Sequence, residues 1–475
     1  MTNWTTIRKW PLAVALAVGL SGCSLEVLNP GSIQDDDLNS PELMPILVAG
    51  VSAEYNDVQD NLAFYGGQLS DDMAGTGSYG STQQYRQGIF DNRDSGGFWE
   101  QAHEAAWSAG EAWARYEEVL TSAVASASAD GARLFTLMGH AHNRLGENFC
   151  DLVYDVGPAQ PRRAAFDSAI VAFNRAITIG TAAGSGADQW VLSARGGIAQ
   201  ARLGLAALGA GSWAEAAAAA QAFFSNGGTE QWWDVAIYNA QANQNLVWQE
   251  THGRAENGVW STRAQQLFDA TGDVRVPYTK CGEWVDTARP LPDPGDGVDD
   301  LGCSSGSGAH QGADGLTAHY RQDKYPERGS DIPRASGVEM RMILAEAALM
   351  AGDLTEFTNQ INLARASYGD PSLAPLAEPA TVGTLEFRAS YPYYAMEGDA
   401  DWDAMSMLDQ ERYASLWIEG RRFFDLDRWN HPYLAGGFLA ANVPGAEAIN
   451  PRVSCMPVPR EECDLNPNLA GSSVC

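Results

Sequence analysis

Acidic side chains outnumber basic ones by 60 to 30, and some stand at spacings that could hold a metal ion. Glu397-Gly-Asp399-Ala-Asp401-Trp-Asp403 alternates carboxylates, and Asp293, Asp296, Asp299 and Asp300 cluster, so both could offer oxygen ligands to Ca²⁺. Neither keeps the calcium-loop pattern: Ala404 stands where that loop turns on Gly, and Gln410 where it needs a bidentate Glu. Solvated loop acids are the better reading. His103-Glu104 lacks the second His of a zinc-protease helix, and His140 and His142 are two apart, on different helix faces. No metal or cofactor is therefore expected. Gly75-Thr-Gly-Ser-Tyr-Gly80 matches the dinucleotide fingerprint in letters, but the polar Leu69-Ser-Asp-Asp-Met before it is no buried strand. Gly302-Cys-Ser-Ser-Gly306 matches a nucleophile elbow but sits in a glycine-serine loop, without the strand–turn–helix setting that exposes such a serine. A pair of glycosidase carboxylates cannot be picked out from so many acids.

Cysteine chemistry points to disulfides. Seven cysteines are present, and Cys23 is the lipidation candidate described below. The other six are Cys150, Cys281, Cys303, Cys455, Cys463 and Cys475. An even number in an exported chain suggests bridges, while zinc lacks both a C-x-x-C spacing and a nearby His cluster. Cys281 and Cys303 bracket one loop-like insert and are expected to pair. At least one bridge is expected within Cys455, Cys463 and Cys475.

The leader carries the compartment. Arg8 and Lys9 precede an apolar core from Trp10 to Leu20, too short to span a bilayer but of signal-peptide length. Leu20-Ser-Gly-Cys23 then resembles a bacterial lipobox, in which the cysteine is acylated and becomes the first mature residue. Residues 1–22 read as a lipoprotein signal peptide, residues 23–40 as a lipid-anchored tether and residues 41–475 as one body. No later stretch reaches about 18 unbroken apolar residues, so the membrane is met only through the lipid. The net charge of −30 repels phosphate backbones, which excludes nucleic acid as a partner.

Helices must position whatever binds. Pro41 to Gln59 is amphipathic, and Phe98 to Leu120 spaces Trp99, Ala102, Ala106, Trp113 and Tyr116 along one side. Three helical hairpins follow: Ala132–Gly146 with Ala164–Ile179, Leu192–Leu208 with Trp213–Phe224, and Val338–Met350 with Thr355–Ala366. Small residues recur on each first helix, where a second must pack close. The turns Gly211-Ser-Trp213 and Gly352-Asp-Leu354 resemble those of tetratricopeptide repeats. The expected fold is mostly α, a tetratricopeptide-like scaffold over about 98–224 and 338–366, with loop-rich inserts at about 281–337 and 367–404 carrying the binding face.

Residues 408–429, LDQERYASLWIEGRRFFDLDRW, resemble the C-terminal signature of the SusD/RagB family of outer-membrane nutrient-binding lipoproteins. Glu411, Arg412, Leu416, Glu419, Gly420, Arg422, Phe424, Asp425, Leu426, Arg428 and Trp429 match; Ser415 stands where the family has Glu, so one buried ion pair is expected to be missing. Leu25-Glu-Val-Leu-Asn-Pro, Lys324-Tyr325 with Pro333-Arg334, Met342-Ile-Leu-Ala-Glu-Ala-Ala with Ile361-Asn-Leu-Ala-Arg-Ala, and the segment from Met456 to Asn468 agree in order. Arg421 with Asp425 and Arg422 with Glu419 stand at helical pairing distances, so the signature reads as an ion-pair network fixing a helix to the core, not as a ligand site.

The resemblance implies a non-enzymatic, lipid-anchored protein on the outer face of the outer membrane, lying as a lid over a TonB-dependent β-barrel transporter of the SusC type. It would capture an oligosaccharide or peptide nutrient and pass it on. Sugar rings need aromatic platforms flanked by hydrogen-bonding side chains. The family binds through the early loop and the mid-chain insert, which designates Asp71, Asp72, Tyr79, Tyr85 and Arg86, then Trp284, Tyr320 and Arg321. Trp232, Trp233 and Trp260 are secondary candidates, expected to lie buried under the repeats. Two other classes stay open: a secreted α-helical glycoside hydrolase, and a structural repeat protein that docks the transporter without binding ligand.

Overall fold

The computed structural model describes residues 38–281, 303, 312–315, 317–385, 394–435 and 451–475. The leader with Cys23, Trp284, the acidic cluster at 293–300 and most of the 302–306 motif lie outside the described residues.

The described chain is mostly helical. Helix α1 runs Met44–Leu69, α2 Gly80–Arg86, α3 Gly96–Leu120, α4 Ala129–Asn148, α5 Arg163–Ala183, α6 Asp188–Ala207, α7 Trp213–Ser225 and α8 Arg263–Thr271. They are followed by α9 Gly337–Met350, α10 Leu354–Ser367, α11 Ala404–Leu416 and α12 Arg422–Arg428. The pairs α4–α5, α6–α7 and α9–α10 form the three hairpins expected from the sequence. Their second helices are started locally. Ser212 and Glu215 form a reciprocal capping box at α7, and the Asp353 carboxylate accepts the Glu356 amide at α10.

Glycine spacing explains how closely the hairpins approach. Phe166 and Phe173, two turns apart on α5, are fully buried between α4 and α6. Gly139 and Gly146 of α4 face these rings from one side, Gly197 and Gly204 of α6 from the other. A Cβ at Gly146 would lie 2.9 Å from the Phe166 ring. Both rings thus fill slots that any side chain would close.

Helix α1 packs against α3 and α4 at one end of this scaffold, and α9 bridges α7 to α11 at the other. Four two-stranded ribbons sit beside the helices. Strand β1 (Ala74–Gly75) pairs with β5 (Asn257–Gly258), and β2 (Asp151–Leu152) with β3 (Gln160–Pro161). Strand β4 (Trp233–Ala236) pairs with β8 (Ile332–Ser336), and β6 (Tyr278–Lys280) with β7 (Tyr320–Gln322), all antiparallel. The C-terminal segment returns to α4: Phe149 bridges Met456, and a disulfide joins Cys150 to Cys455. Cys281 is bonded to Cys303 and Cys463 to Cys475. No described helix is long and apolar enough to cross a membrane.

Candidate functional site

The signature's charged residues build a buried lattice. Arg422 Nε lies 2.5 Å from Asp71 Oδ1, and its Nη2 lies 2.7 Å from Asp71 Oδ2. Its remaining nitrogen donates to Asp409, which also receives Arg263. Arg275 pairs with Asp273 and Glu411, and Arg365 also reaches Glu411. Arg412 and Arg428 share Asp425, each at 2.8 Å. Burial alone would raise the Asp409 carboxyl, but Arg263 and Arg422 outweigh it and hold the group well below the usual range. Asp71 is lowered against its burial in the same way, chiefly by Arg422.

These pairings correct the local ones expected from spacing. Helix α12 begins at Arg422, so Glu419 lies before it, in a turn where Gly420 has φ +77°. Glu419 instead binds Lys324 at 2.7 Å, and Arg421 binds Glu339 at 2.8 Å. At Ser415, the hydroxyl accepts a 3.3 Å hydrogen bond from Arg275, whose charge is met by Asp273 and Glu411.

Most residues designated from the sequence serve the fold. Asp71 is in the lattice. Asp72 is buried, and its Oδ2 accepts the Ile418 amide at 3.3 Å while its carbonyl accepts the Trp417 indole at 3.1 Å. Its carboxyl is pushed well up by burial, with repulsion from Asp71 adding to it. Tyr85 is 5% exposed, against Tyr65 and Phe90. Arg86 is buried and donates to the Gly75 carbonyl at 2.9 Å and to Gln83 at 2.6 Å. Tyr320 is 7% exposed and stacks on Tyr278 at 5.5 Å, and Arg321 pairs with Asp323 at 3.0 Å. Tyr79, at the start of α2, is 49% exposed.

The early loop and the mid-chain insert are nonetheless neighbours. Strand β5 bonds to β1, the Val259 amide reaches the Tyr320 carbonyl at 2.7 Å, and the Asp314 amide reaches the Thr76 carbonyl at 3.0 Å. The G-x-G-x-x-G stretch has no nucleotide-binding frame, because β1 is two residues long and the helix after it only seven. Asp403 caps α11 through the Ser406 amide and accepts the Thr384 amide. Among the described residues, no group of three His, Cys, Asp or Glu side chains could hold a metal.

An open cleft of about 670 Å³ lies elsewhere, between the β4–β8 ribbon, the turn at Lys324-Tyr325 and the helices α10 and α11. Trp233 stands on its wall 64% exposed, and Tyr368 39% exposed. Gln231 Nε2 donates to the Ser367 carbonyl at 3.4 Å, bringing the two aromatics onto one cleft. The Arg275 guanidinium lies 5.8 Å from the Tyr368 ring centre. Polar walls come from Gln231, Ser330, Asp331 and Ser336. The expectation that Trp233 lies buried is overturned. Trp232 packs 5.2 Å from Phe223, whereas Trp233 is the first residue of β4, and neighbouring side chains on extended backbone point to opposite faces. That alternation was the signal available in the sequence.

Such an arrangement suits sugars: flat apolar faces on which rings can lie, side-chain amides and carboxylates for hydroxyls, and a volume within the usual range for ligand clefts. Comparisons with known proteins agree with it in fold. Residues 338–470 match the model of the SusD family. A SusD-like protein from Bacteroides fragilis NCTC 9343 shares 12% identity at a TM-score of 0.61, over 93% of this chain and 97% of that one. A chitin-binding SusD homolog from Flavobacterium johnsoniae shares 14% identity at a TM-score of 0.59, over 90% and 95%. A SusD/RagB family protein from Bacteroides thetaiotaomicron VPI-5482 shares 12% identity at a TM-score of 0.57, over 90% and 95%. No curated protein matches the sequence.

Proposed function

We propose that this chain, which belongs to the SusD/RagB family, is a surface lipoprotein that binds an oligosaccharide and delivers it to a TonB-dependent outer-membrane transporter. Lipid on Cys23 would anchor residues 41–475 as one body on the outer face of the membrane. The observation that carries the binding role is the cleft with Trp233 and Tyr368 exposed on its walls. Large exposed aromatics beside satisfied polar groups stack rings without needing to break bonds. The chitin-binding homolog with the same fold supports a glycan as the ligand. Transport energy would come from the partner.

A second contact region is favoured by one observation. Exposed Tyr79 lies on the early loop, which is hydrogen-bonded to the mid-chain insert through Asp314 and Thr76. Of the designated residues, exposed Tyr79 is the one that would touch ligand there.

The test is twofold. Purified protein is titrated calorimetrically with neutral oligosaccharides, as wild type and as Trp233→Ala and Tyr368→Ala. Each substitution should weaken binding by about two- to twelve-fold, at roughly 0.5–1.5 kcal/mol per lost stacking platform. Equal binding by all three would remove the cleft from the function. Detergent extraction of the native membrane should also co-purify a large β-barrel; a lone protein after cross-linking would sink the delivery role.

A further inference from the structure

We infer that the cleft takes neutral or amine-bearing glycans and rejects acidic ones, with Asp331 as the specificity-determining residue; this rests on the glycan reading of the cleft. Among the described residues, six charged side chains line it: Glu230, Arg275, Asp323, Lys324, Asp331 and Glu419. Five are already paired. Glu230 binds Arg341 at 2.5 Å, Asp323 binds Arg321 at 3.0 Å, and Lys324 binds Glu419 at 2.7 Å. Arg275 is held by Asp273 and Glu411. Both cations are therefore spent inside the protein, and neither is offered to a ligand carboxylate or sulfate.

Asp331 differs. It is exposed, and its Oδ1 accepts the Tyr238 amide at 3.2 Å with no ion pair. Among the described lining residues it therefore gives the cleft its one uncompensated charge, a negative one. A ligand amine near it gains Coulomb attraction, and a ligand carboxylate meets repulsion.

Register puts Asp331 and Trp233 at opposite ends of the ribbon. Trp233 faces Ser336 across the pair, and Ala236 faces Ile332, so Asp331 lies just beyond the far end. Four strand residues separate the two levels, roughly 13 Å at about 3.3 Å per residue. An oligosaccharide stacked on Trp233 is long enough to present a further ring to Asp331, whereas a monosaccharide is not. The ring platform and the charge thus read different units of one ligand.

A glycan array carries the test, using the full chain and matched oligosaccharides in three forms: neutral, with free amines, and with uronic carboxylates or sulfates. The wild type should retain neutral and amine-bearing forms and leave the acidic ones. Asp331→Asn should narrow the gap between amine-bearing and acidic forms by about two- to five-fold at low ionic strength, the span of a solvent-exposed ion pair. The narrowing should shrink as salt rises. Trp233→Ala should lose all forms together. Acidic forms held as well as neutral ones, or an unchanged preference in Asp331→Asn, would overturn the charge selection while leaving the cleft intact. Retention that survives Trp233→Ala, or no glycan held at all, would instead fell the cleft reading and the inference with it.

Discussion

Asp71 and Arg422 stand 351 residues apart in sequence and meet in a two-point contact, Nε to Oδ1 at 2.5 Å and Nη2 to Oδ2 at 2.7 Å, fully inside the protein. The first comes just after α1, the second opens α12. The signature is thus spent on joining the two ends of the chain.

Removing the arginine strands buried carboxylates. Arg422→Ala should destabilise the fold by about 3–5 kcal/mol, as expected when one member of a buried ion pair is deleted. Arg422→Lys should recover only part, because an ammonium cannot address Asp71 at two points and Asp409 at once. Urea unfolding with an unchanged slope measures both. A loss under about 1 kcal/mol for the alanine variant would show the lattice to be dispensable.

Filling a phenyl slot should be costly. Gly197→Ala puts a methyl into the Phe173 ring, with α4 blocking retreat on the other side at Gly139. About 1–3 kcal/mol of destabilisation is expected from overpacking. The substitution is favourable by helix propensity, so thermal unfolding separates the two effects by sign. A stabilised variant would mean that the hairpins are free to part.

Acid should weaken the core at His140. Its ring is fully buried, with Nε2 2.9 Å from the Ser193 hydroxyl. Burial, then the positive charges of Arg334 and Arg144, holds its pKa well below 6.5. The unfolded chain therefore takes up this proton first, so the contribution is complete above pH 6.5 and drains as pH falls below it. Burial also raises Glu339 to about 8 and Glu147 to about 7, which works the other way. Their share is present below pH 4.5 and lost as pH rises through 7 to 8. A difference measurement isolates the histidine: the stability advantage of wild type over His140→Gln should shrink from pH 7 to pH 4. A constant advantage across that range would show that the ring protonates freely in the fold.

Local signals carried the helices. Glycines at 209, 211 and 352 marked the hairpin turns, and recurring small residues marked the helix faces that meet. Contacts set by non-local pairing were less legible. Tyr85 and Tyr320 look like platforms in sequence because they lie outside the repeats, yet the β1–β5 and β6–β7 ribbons bring the early loop and the mid-chain insert together and cover them. The arginines of the signature read as neighbours of Glu419 and Asp425, but the break before α12 turns Arg421 and Arg422 toward Glu339, Asp71 and Asp409. Trp233 could have been found from its neighbour Trp232, since two adjacent residues on extended backbone face opposite ways.

The long-range closure also bears on how the protein is made. A chain synthesised from its N-terminus presents Asp71 and Cys150 long before Arg422 and Cys455 exist. Until the last fifty or so residues emerge, the early helices hold an acid with no counter-charge and a thiol with no mate. A nascent chain cut short at any point before Arg422 cannot finish its core, and its exposed surfaces mark it for proteolysis. The fold therefore closes only once both members of these distant pairs are present, and the signature supplies Arg422 as the late member of one of them.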